Sequence, residues 1–435
     1  MDTAVEPVDP EKLARAKVIA VSVPMHTALR LGLEVAARAR AVNPAAHVCF
    51  FGLYATLNAE LLFASGVDSV IGGEAEAPLL ALIKALERGE AGAVPGVGRS
   101  GQPAAPHLRR LDFPVPSRSA LPSIKKYAHL EHDGRMELTA YAEASRGCLH
   151  RCRHCPIPPV YGGRFFAVPR EVVLADVRQQ IEAGARHVTF GDPDFLNGPT
   201  HALAVARELH AEWPDVTFDF TAKIEHLLRH RAHLPALREA GCLFVVSAAE
   251  SLSDTVLAHL DKGHTRADIM TALGLTREAG ITLRPTWVAF TPWTTLDDHR
   301  AWLDFLADEG LIDHVDAVQY GLRLLVPPGS LLLESPAMRP HLARSSRPRC
   351  PIGGRIPTRG WTGCRRRPRR SSRRRSACRP TRPPSSTGCA PWPRRRREPP
   401  RRRRCAPPCP GIAGGRRASA RRGSAERSPP RASWP

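Results

Sequence analysis

The stretch "LTAYAEASRGCLHRCRHC", Leu138 to Cys155, carries an apolar strand-like segment directly into three cysteines. Thiolates select soft metals, and three of them in so tight a loop suit zinc or an iron–sulfur cluster. The set Cys148, Cys152 and Cys155 is one ligand short of a closed tetrahedral site. His150 or His154 could complete a structural zinc knuckle. Alternatively, three cysteines hold three irons of a [4Fe–4S] cluster and leave one iron open.

Downstream, the opening strand repeats with a beat. Strand-like segments recur at "HVTFGD", "VTFDFTA", "LFVVSAA", "TLRPTWVAF" and "VDAVQYGLRLL", and all but the last are followed by a helical pattern such as "PREVVLADVRQQIEAG". Six strand–helix units at intervals of roughly 25 to 40 residues predict a partial (β/α)6 barrel over 137–338. In such folds chemistry sits at the carboxyl ends of the strands, which is where the cysteines fall.

Upstream, residues 17–92 alternate short apolar runs ("KVIAVSVPM", "AHVCFFGLY", "VDSVIGG") with helical patterns. This predicts an α/β domain with a doubly wound parallel sheet, its ligands beyond the strand ends near Pro24–Thr27, Leu53–Ala55 and Gly72–Glu76. Residues 93–136, rich in Pro, Gly, Arg and Ser, read as an extended linker.

The chain has 435 residues and a formal charge of +21. Residues 341–435 alone hold 29 arginines against Glu398 and Glu426, which leaves about −6 for the remainder. That tail lacks apolar periodicity and reads as disordered. Its Arg, Pro, Ala, Gly, Ser, Cys and Trp content without Lys or Asp is what a GC-rich gene yields out of frame, with the shift near residues 340–345. An RNA-binding arm and a cysteine-rich metal-binding tail are the other readings, and no nucleic-acid partner is expected unless the tail is native. Six of the 11 cysteines lie there. Of the five in the body, Cys49 and Cys242 stand in apolar runs as inert buried thiols. The polar opening "MDTAVEPVDPEKLARAK" and the absence of an 18-residue apolar run predict a cytoplasmic protein with no membrane partner, where clustered cysteines mean metal or catalysis.

"CLHRCRHC" resembles the CxxxCxxC signature of the radical S-adenosylmethionine (SAM) superfamily. The resemblance implies a partial barrel, a [4Fe–4S] cluster on Cys148, Cys152 and Cys155, and SAM as the missing ligand of the fourth iron. It also implies reductive cleavage of SAM to methionine and a 5′-deoxyadenosyl radical, with an electron donor such as flavodoxin or ferredoxin as partner. On the same resemblance His154 takes the position near the adenine, or only packs. Gly191 and Asp192 in "GDPDF" stand where relatives hold the SAM amino group, or form a plain strand-end turn. Ser247 and Glu250 in "SAAES" resemble the polar strand end that meets the ribose or carboxylate; for Glu250 the other reading is a helix N-terminal carboxylate. Lys262 in "LDKGHT" either faces the SAM carboxylate or is a solvated lysine. The string "GGE" at Gly72–Glu74 lies upstream of the cysteines and is not the amino-group motif.

A doubly wound domain ahead of such a barrel resembles the cobalamin-binding subgroup. The Asp-x-His-x-x-Gly motif that supplies a histidine to cobalt is absent, and His26 is the nearest histidine in a strand-to-helix loop. The implied reaction is radical modification of a small molecule or peptide, with cobalamin-assisted methyl transfer among the options. A tRNA-modifying methylthiotransferase is an alternative, but such relatives carry extra upstream cysteines and only Cys49 is upstream here. A zinc-stabilised, non-enzymatic protein with an Arg-rich RNA-binding tail is another.

Overall fold

The computed structural model describes residues 1–90, 92–342 and 431–433. Helix α1 (Pro10–Arg15) starts on Asp9, whose carboxylate accepts from the amides of Glu11 and Lys12. Four strands follow: β1 (Val18–Ser22), β2 (His47–Phe51), β3 (Ser69–Ile71) and β4 (Val97–Gly98). They lie side by side in chain order, the first three parallel and β4 antiparallel to β3. Helices α2 (His26–Val42), α3 (Leu53–Leu57), α4 (Ala59–Ala64) and α5 (Glu76–Glu87) connect them. Because side chains alternate across a strand, Val48, Phe50 and Val70 face α2 to α4, while Cys49 and Ile71 face α5. The sheet is therefore covered on both faces, as expected, but its strand order runs in one direction without a reversal.

The expected linker, residues 93–136, contains β4 and runs into the next two strands, and its stretch 99–128 lies against both parts. His107 bridges to Gly73, Phe113 joins the large apolar core, and Arg118 forms a 2.6 Å ion pair with the buried Asp176. The hairpin β5 (His129–His132) and β6 (Arg135–Ala142) then opens the second sheet, and β7 (Ser145–Gly147) pairs antiparallel with β8 (Phe165–Ala167) around the cysteine loop and helix α6 (Ile157–Tyr161). From there helices and strands alternate: α7 (Arg170–Glu182), β9 (His187–Phe190), α8 (Pro199–Glu212), β10 (Thr217–Thr221), α9 (Ile224–Arg229), α10 (Leu234–Glu239), β11 (Cys242–Glu250), α11 (Asp254–Leu260), α12 (Arg266–Glu278), β12 (Thr282–Trp287) and α13 (Leu296–Asp308).

Strands β6, β9, β10, β11 and β12 are neighbours in that order and parallel, with β5 antiparallel at the β6 edge. Their outer face, including Ala140, Val188, Phe190, Phe218, Phe220, Val245 and Leu283, packs under α7, α8, α10, α12 and α13 in one continuous core. Helices α12 and α13 each begin with a capping box, Thr265 with Asp268 and Thr295 with Asp298. The sixth expected strand differs. Residues 317–321 form a 3-10 turn, and only the isolated bridge Phe290–Arg323 extends the sheet. Pro285 in β12 removes one ladder N–H, a substitution tolerated at an edge but poor for a further neighbour.

Among the described residues no helix is long and apolar enough to cross a membrane. In the tail, the backbone of β13 (Arg431–Ser433) pairs antiparallel with β5. The rest of the proposed disordered, frameshifted segment beyond residue 342 lies outside the described residues.

Candidate active site

The residues that follow the parallel strands gather at one end of the barrel: 143–155 after β6, 191–197 after β9, 222–226 after β10 and 250–264 after β11. The cysteine loop is held from several of these. Asp192, at the end of β9, accepts from the Ala144 amide at 2.9 Å and the Ser145 hydroxyl at 2.5 Å, fixing the strand that enters the loop. Gly147 precedes Cys148 at φ +77°, and a Cβ there would sit 2.5 Å from the Arg164 carbonyl and 2.6 Å from the Tyr161 ring. Only glycine fits that turn. Asn197 Oδ1 accepts from the Leu149 amide at 3.3 Å. At the far side the Arg153 amide donates to Leu260 O at 2.9 Å, and the Arg153 carbonyl accepts from Ser330 Oγ at 2.7 Å.

Cys148, Cys152 and Cys155 are all free thiols. Burial pushes the Cys148 thiol up and the Cys155 thiol up to about 12, with the neighbouring cysteines adding repulsion. A bound cation reverses that preference, because it stabilises the thiolates that burial opposes. Among the described residues the trio that brings ligand atoms within 4.8 Å of one another is His150, Asp194 and His226, not the cysteines. At least one pair of the three sulfurs is thus farther apart than 4.8 Å, beyond the spacing of about 3.8 Å that a tetrahedral zinc with bonds of about 2.3 Å imposes. This spread, the three free thiols and the engagement of both nearby imidazoles elsewhere fit a cluster better than a zinc knuckle.

His150 and His226 stand in a buried polar chain, hydrogen-bonded through His150 and completed at Asp194 by a close approach that lacks hydrogen-bond geometry. Lys223 Nζ lies 3.1 Å from His150 Nδ1, His150 Nε2 lies 3.0 Å from His226 Nε2, and His226 Nδ1 lies 2.9 Å from Asp194 Oδ2. Backbone amides of Leu196 and Lys223 also donate to Asp194. An ammonium at one end and a carboxylate at the other polarise the chain, and burial with Lys223 pushes His150 down to about 4, keeping it neutral.

Opposite, His154 Nε2 and Lys262 Nζ each approach Glu250 Oε1 at 3.2 Å. Glu250 adopts φ +64°, a left-handed conformation rare for a non-glycine residue, at the bulge that ends β11. Burial works against its charge, but Lys262 and then His154 outweigh it and hold the carboxyl well below the usual carboxylate range. Lys262 is 3% exposed, so the reading as a solvated lysine is wrong. It is boxed between Asp261 and Gly263, both at positive φ, and the charges of Glu250, Cys152 and Cys155 keep it protonated against its burial.

The remaining sequence-derived positions are placed as follows. The Gly191 amide donates to the Ala142 carbonyl at 2.9 Å. Asp192 has both oxygens occupied within the protein, and burial raises its carboxyl to about 7. The Ser247 hydroxyl donates to the Ala222 carbonyl at 2.6 Å, tying β11 to the end of β10. Asp194, Asn197, Lys223 and His226 escaped sequence reasoning, since nothing local marks them as meeting the cysteine loop. Beside the loop opens a cavity of about 470 Å³, walled by Ser22, Pro24, Gly52, Gly73 and Glu76 from the first domain and by Arg146, Gly147 and Tyr161 from the second. It lies at the carboxyl ends of β1 to β3, where a ligand was expected, and His26 is not among its lining residues.

The family profile described as "Radical SAM superfamily" matches residues 143–316, which holds all three cysteines and the strand ends around them. Among curated proteins, an uncharacterised methyltransferase of Pyrococcus horikoshii is 24% identical over 282 residues, 62% of this chain and 60% of that protein. A tRNA-2-methylthio-N(6)-dimethylallyladenosine synthase of Chlorobium luteolum is 30% identical over 185 residues, 39% of this chain and 40% of that protein. Among solved structures, the radical SAM methyltransferase TsrM of Kitasatospora setae, with cobalamin and a [4Fe–4S] cluster bound, superposes with TM-score 0.57 and 19% identity over 69% of this chain and 61% of that one. The cobalamin-dependent radical SAM enzyme OxsB, with aqua-cobalamin and SAM bound, gives TM-score 0.61 and 19% identity over 79% and 56%. The chain thus spans less than two thirds of the length of these relatives. Residues 143–316, with the cysteine signature inside them, thus match the radical SAM superfamily profile, and with the parallel sheet ahead of them the chain shares the two-domain fold of the cobalamin-dependent enzymes TsrM and OxsB.

Proposed function

We propose that this enzyme reductively cleaves SAM at a [4Fe–4S] cluster held by Cys148, Cys152 and Cys155, and that it carries out a cobalamin-assisted methyl transfer. The observation that supports this most directly is that both flanks of the loop carrying the three free thiols, Gly147 before them and Ile157 after them, line a cavity shared with the parallel-sheet domain. A bound cluster would supply one electron to SAM and bound cobalamin a methyl carrier, while the protein binds, orients and shields. Gly147, Asp192 and Asn197 hold the loop so that the sulfurs keep their spread. Glu250, Lys262 and His154 present a buried ion pair and an imidazole at the same mouth, suited to orienting an amino acid moiety such as that of SAM. The cavity at the ends of β1 to β3 takes a ligand by shape and by backbone amides, with no histidine from its walls. Flavodoxin or ferredoxin serves as electron donor in this reading.

A methylthiotransferase is the second reading, favoured by the Chlorobium luteolum relative. The one upstream cysteine, Cys49, is fully buried in β2, and burial pushes its thiol up to about 11, which suits a packing role. Anaerobic reconstitution followed by iron, sulfide and 5′-deoxyadenosine measurement tests the first part, and equilibrium dialysis with cobalamin tests the second. Iron and sulfide with no 5′-deoxyadenosine would refute SAM cleavage by this route. A cluster-loaded protein that retains no cobalamin would remove the methyl transfer.

A further inference from the structure

The turn Gly72–Gly73–Glu74 has no part in the SAM reading, yet its geometry is tightly specified. A Cβ on Gly72 would lie 2.0 Å from Thr56 Oγ1, and one on Gly73, at φ +72°, 2.4 Å from the His107 carbonyl. The same carbonyl accepts from the Glu74 amide at 2.8 Å. Pressed in this way between α3 and the connecting segment, the turn sends Glu74 into the second domain. There Glu74 Oε2 meets Arg146 Nη1 at 3.0 Å, and Oε1 accepts from the Tyr161 hydroxyl at 2.8 Å. Glu74 is 1% exposed.

Arg146 stands two residues before Cys148, and Tyr161 closes the helix that follows Cys155. One carboxylate of the first domain therefore grips both flanks of the cysteine loop. Arg146 also pairs with Glu76 at 2.5 Å and Glu143 at 3.0 Å, so its single positive charge faces three carboxylates and the group is net negative. Gly73, Glu76, Glu143, Arg146 and Tyr161 also wall the shared cavity.

We infer that Glu74 is a positioning residue for the cysteine loop, contributed by the N-terminal domain, and that it sets both the loop's geometry and the charge around whatever the cysteines hold. This rests on the radical SAM reading for the cluster itself. Two consequences follow from charge and geometry alone. Removing one negative charge beside a cluster favours the reduced state, so the potential rises. Releasing the grip also loosens the connecting segment that runs through His107.

The test uses the full chain, reconstituted anaerobically, with Glu74→Gln, Tyr161→Phe and, as a remote acid, Glu60→Gln. Redox titration followed by electron paramagnetic resonance (EPR) reads the cluster, and trypsin reads cleavage at Arg109 and Arg110. Glu74→Gln is expected to change the oxidised-to-reduced ratio at fixed potential about tenfold toward reduced, ~59 mV for a one-electron couple, with an altered EPR line shape and faster cleavage. Tyr161→Phe, which removes one grip and no charge, shifts the potential by less than half as much, and it is the variant read if Glu74→Gln does not fold. Glu60→Gln matches the unmodified protein. A Glu74→Gln protein with unmodified potential, line shape and cleavage rate overturns the inference while leaving the iron and sulfide content to support the radical SAM reading. An unmodified chain without iron and sulfide counts against that reading instead, and the cleavage rates of Glu74→Gln and Glu60→Gln still decide whether the grip exists.

Discussion

Replacing Lys262 by Met strands a carboxylate. Lys262 and Glu250 are 3% and 8% exposed, and their charged atoms lie 3.2 Å apart. Methionine follows nearly the same path as the lysine stem, so the change is chiefly one of charge. Removing one partner of a buried pair costs about 3–5 kcal/mol, because the other charge is left without compensation. His154 still approaches Glu250 at 3.2 Å and retains part of that compensation, which places the expected loss near the lower figure.

The pH dependence of the loss has a definite sign. In the unmodified protein the Glu250 carboxyl is held down by Lys262 and His154 against burial, so its contribution is present above the ordinary glutamate pKa of about 4.3 and fades as pH falls through the folded value. Without Lys262, burial dominates and raises the folded value. The penalty is then absent below about pH 4.3 and grows as pH rises. The difference between the two proteins is therefore widest near neutral pH, narrows toward pH 4 as the variant's penalty disappears, and loses the rest only where pH falls through the depressed folded value of the unmodified protein. Anaerobic urea unfolding of the cluster-loaded proteins, followed by circular dichroism at pH 7.5 and pH 5, measures it. The double variant Glu250→Gln/Lys262→Met leaves no buried charge and should recover more than half of the lost stability. A Lys262→Met loss under about 1 kcal/mol at pH 7.5, or an equal loss at both pH values, would refute the reasoning.

Single replacement of Cys148, Cys152 or Cys155 by Ala should abolish 5′-deoxyadenosine formation while the circular dichroism spectrum is kept; normal formation by any of the three would sink the cluster assignment. Gly147→Ala should lose most of the reconstituted iron, since its Cβ has carbonyl and ring atoms at 2.5 and 2.6 Å; full iron content would show that the turn can relax. Asp192→Asn should flatten the stability profile between about pH 4 and 7. With a folded carboxyl raised to about 7, the neutral form is favoured in the fold, so that stability is present at low pH and lost as pH rises through 7. An unchanged profile in Asp192→Asn would assign the slope to another group.

The alternation of strands and helices, the three cysteines and the position of the loop after a strand are local patterns, legible because a strand's period of two and a helix's period of 3.6 are written in neighbouring residues. The covered sheet of residues 18–98 and the parallel strands from Arg135 to Trp287 follow from that periodicity. The sixth strand did not, because whether "VDAVQYGLRLL" extends a sheet depends on the edge that β12 offers, and Pro285 spoils that edge. Lys262 reads as an ordinary surface lysine until the chain returns beside Glu250, since a charge is buried only when a partner 12 residues away meets it. Glu74 lies 72 residues before Arg146 and 87 before Tyr161, and no spacing along the chain announces that one carboxylate will hold both. Local periodicity thus determined the elements and the metal-binding signature. Which charges are buried together, and which domain grips the cysteine loop, was decided by tertiary packing, because the cost of an unpaired buried charge acts only between groups that the fold has brought into contact.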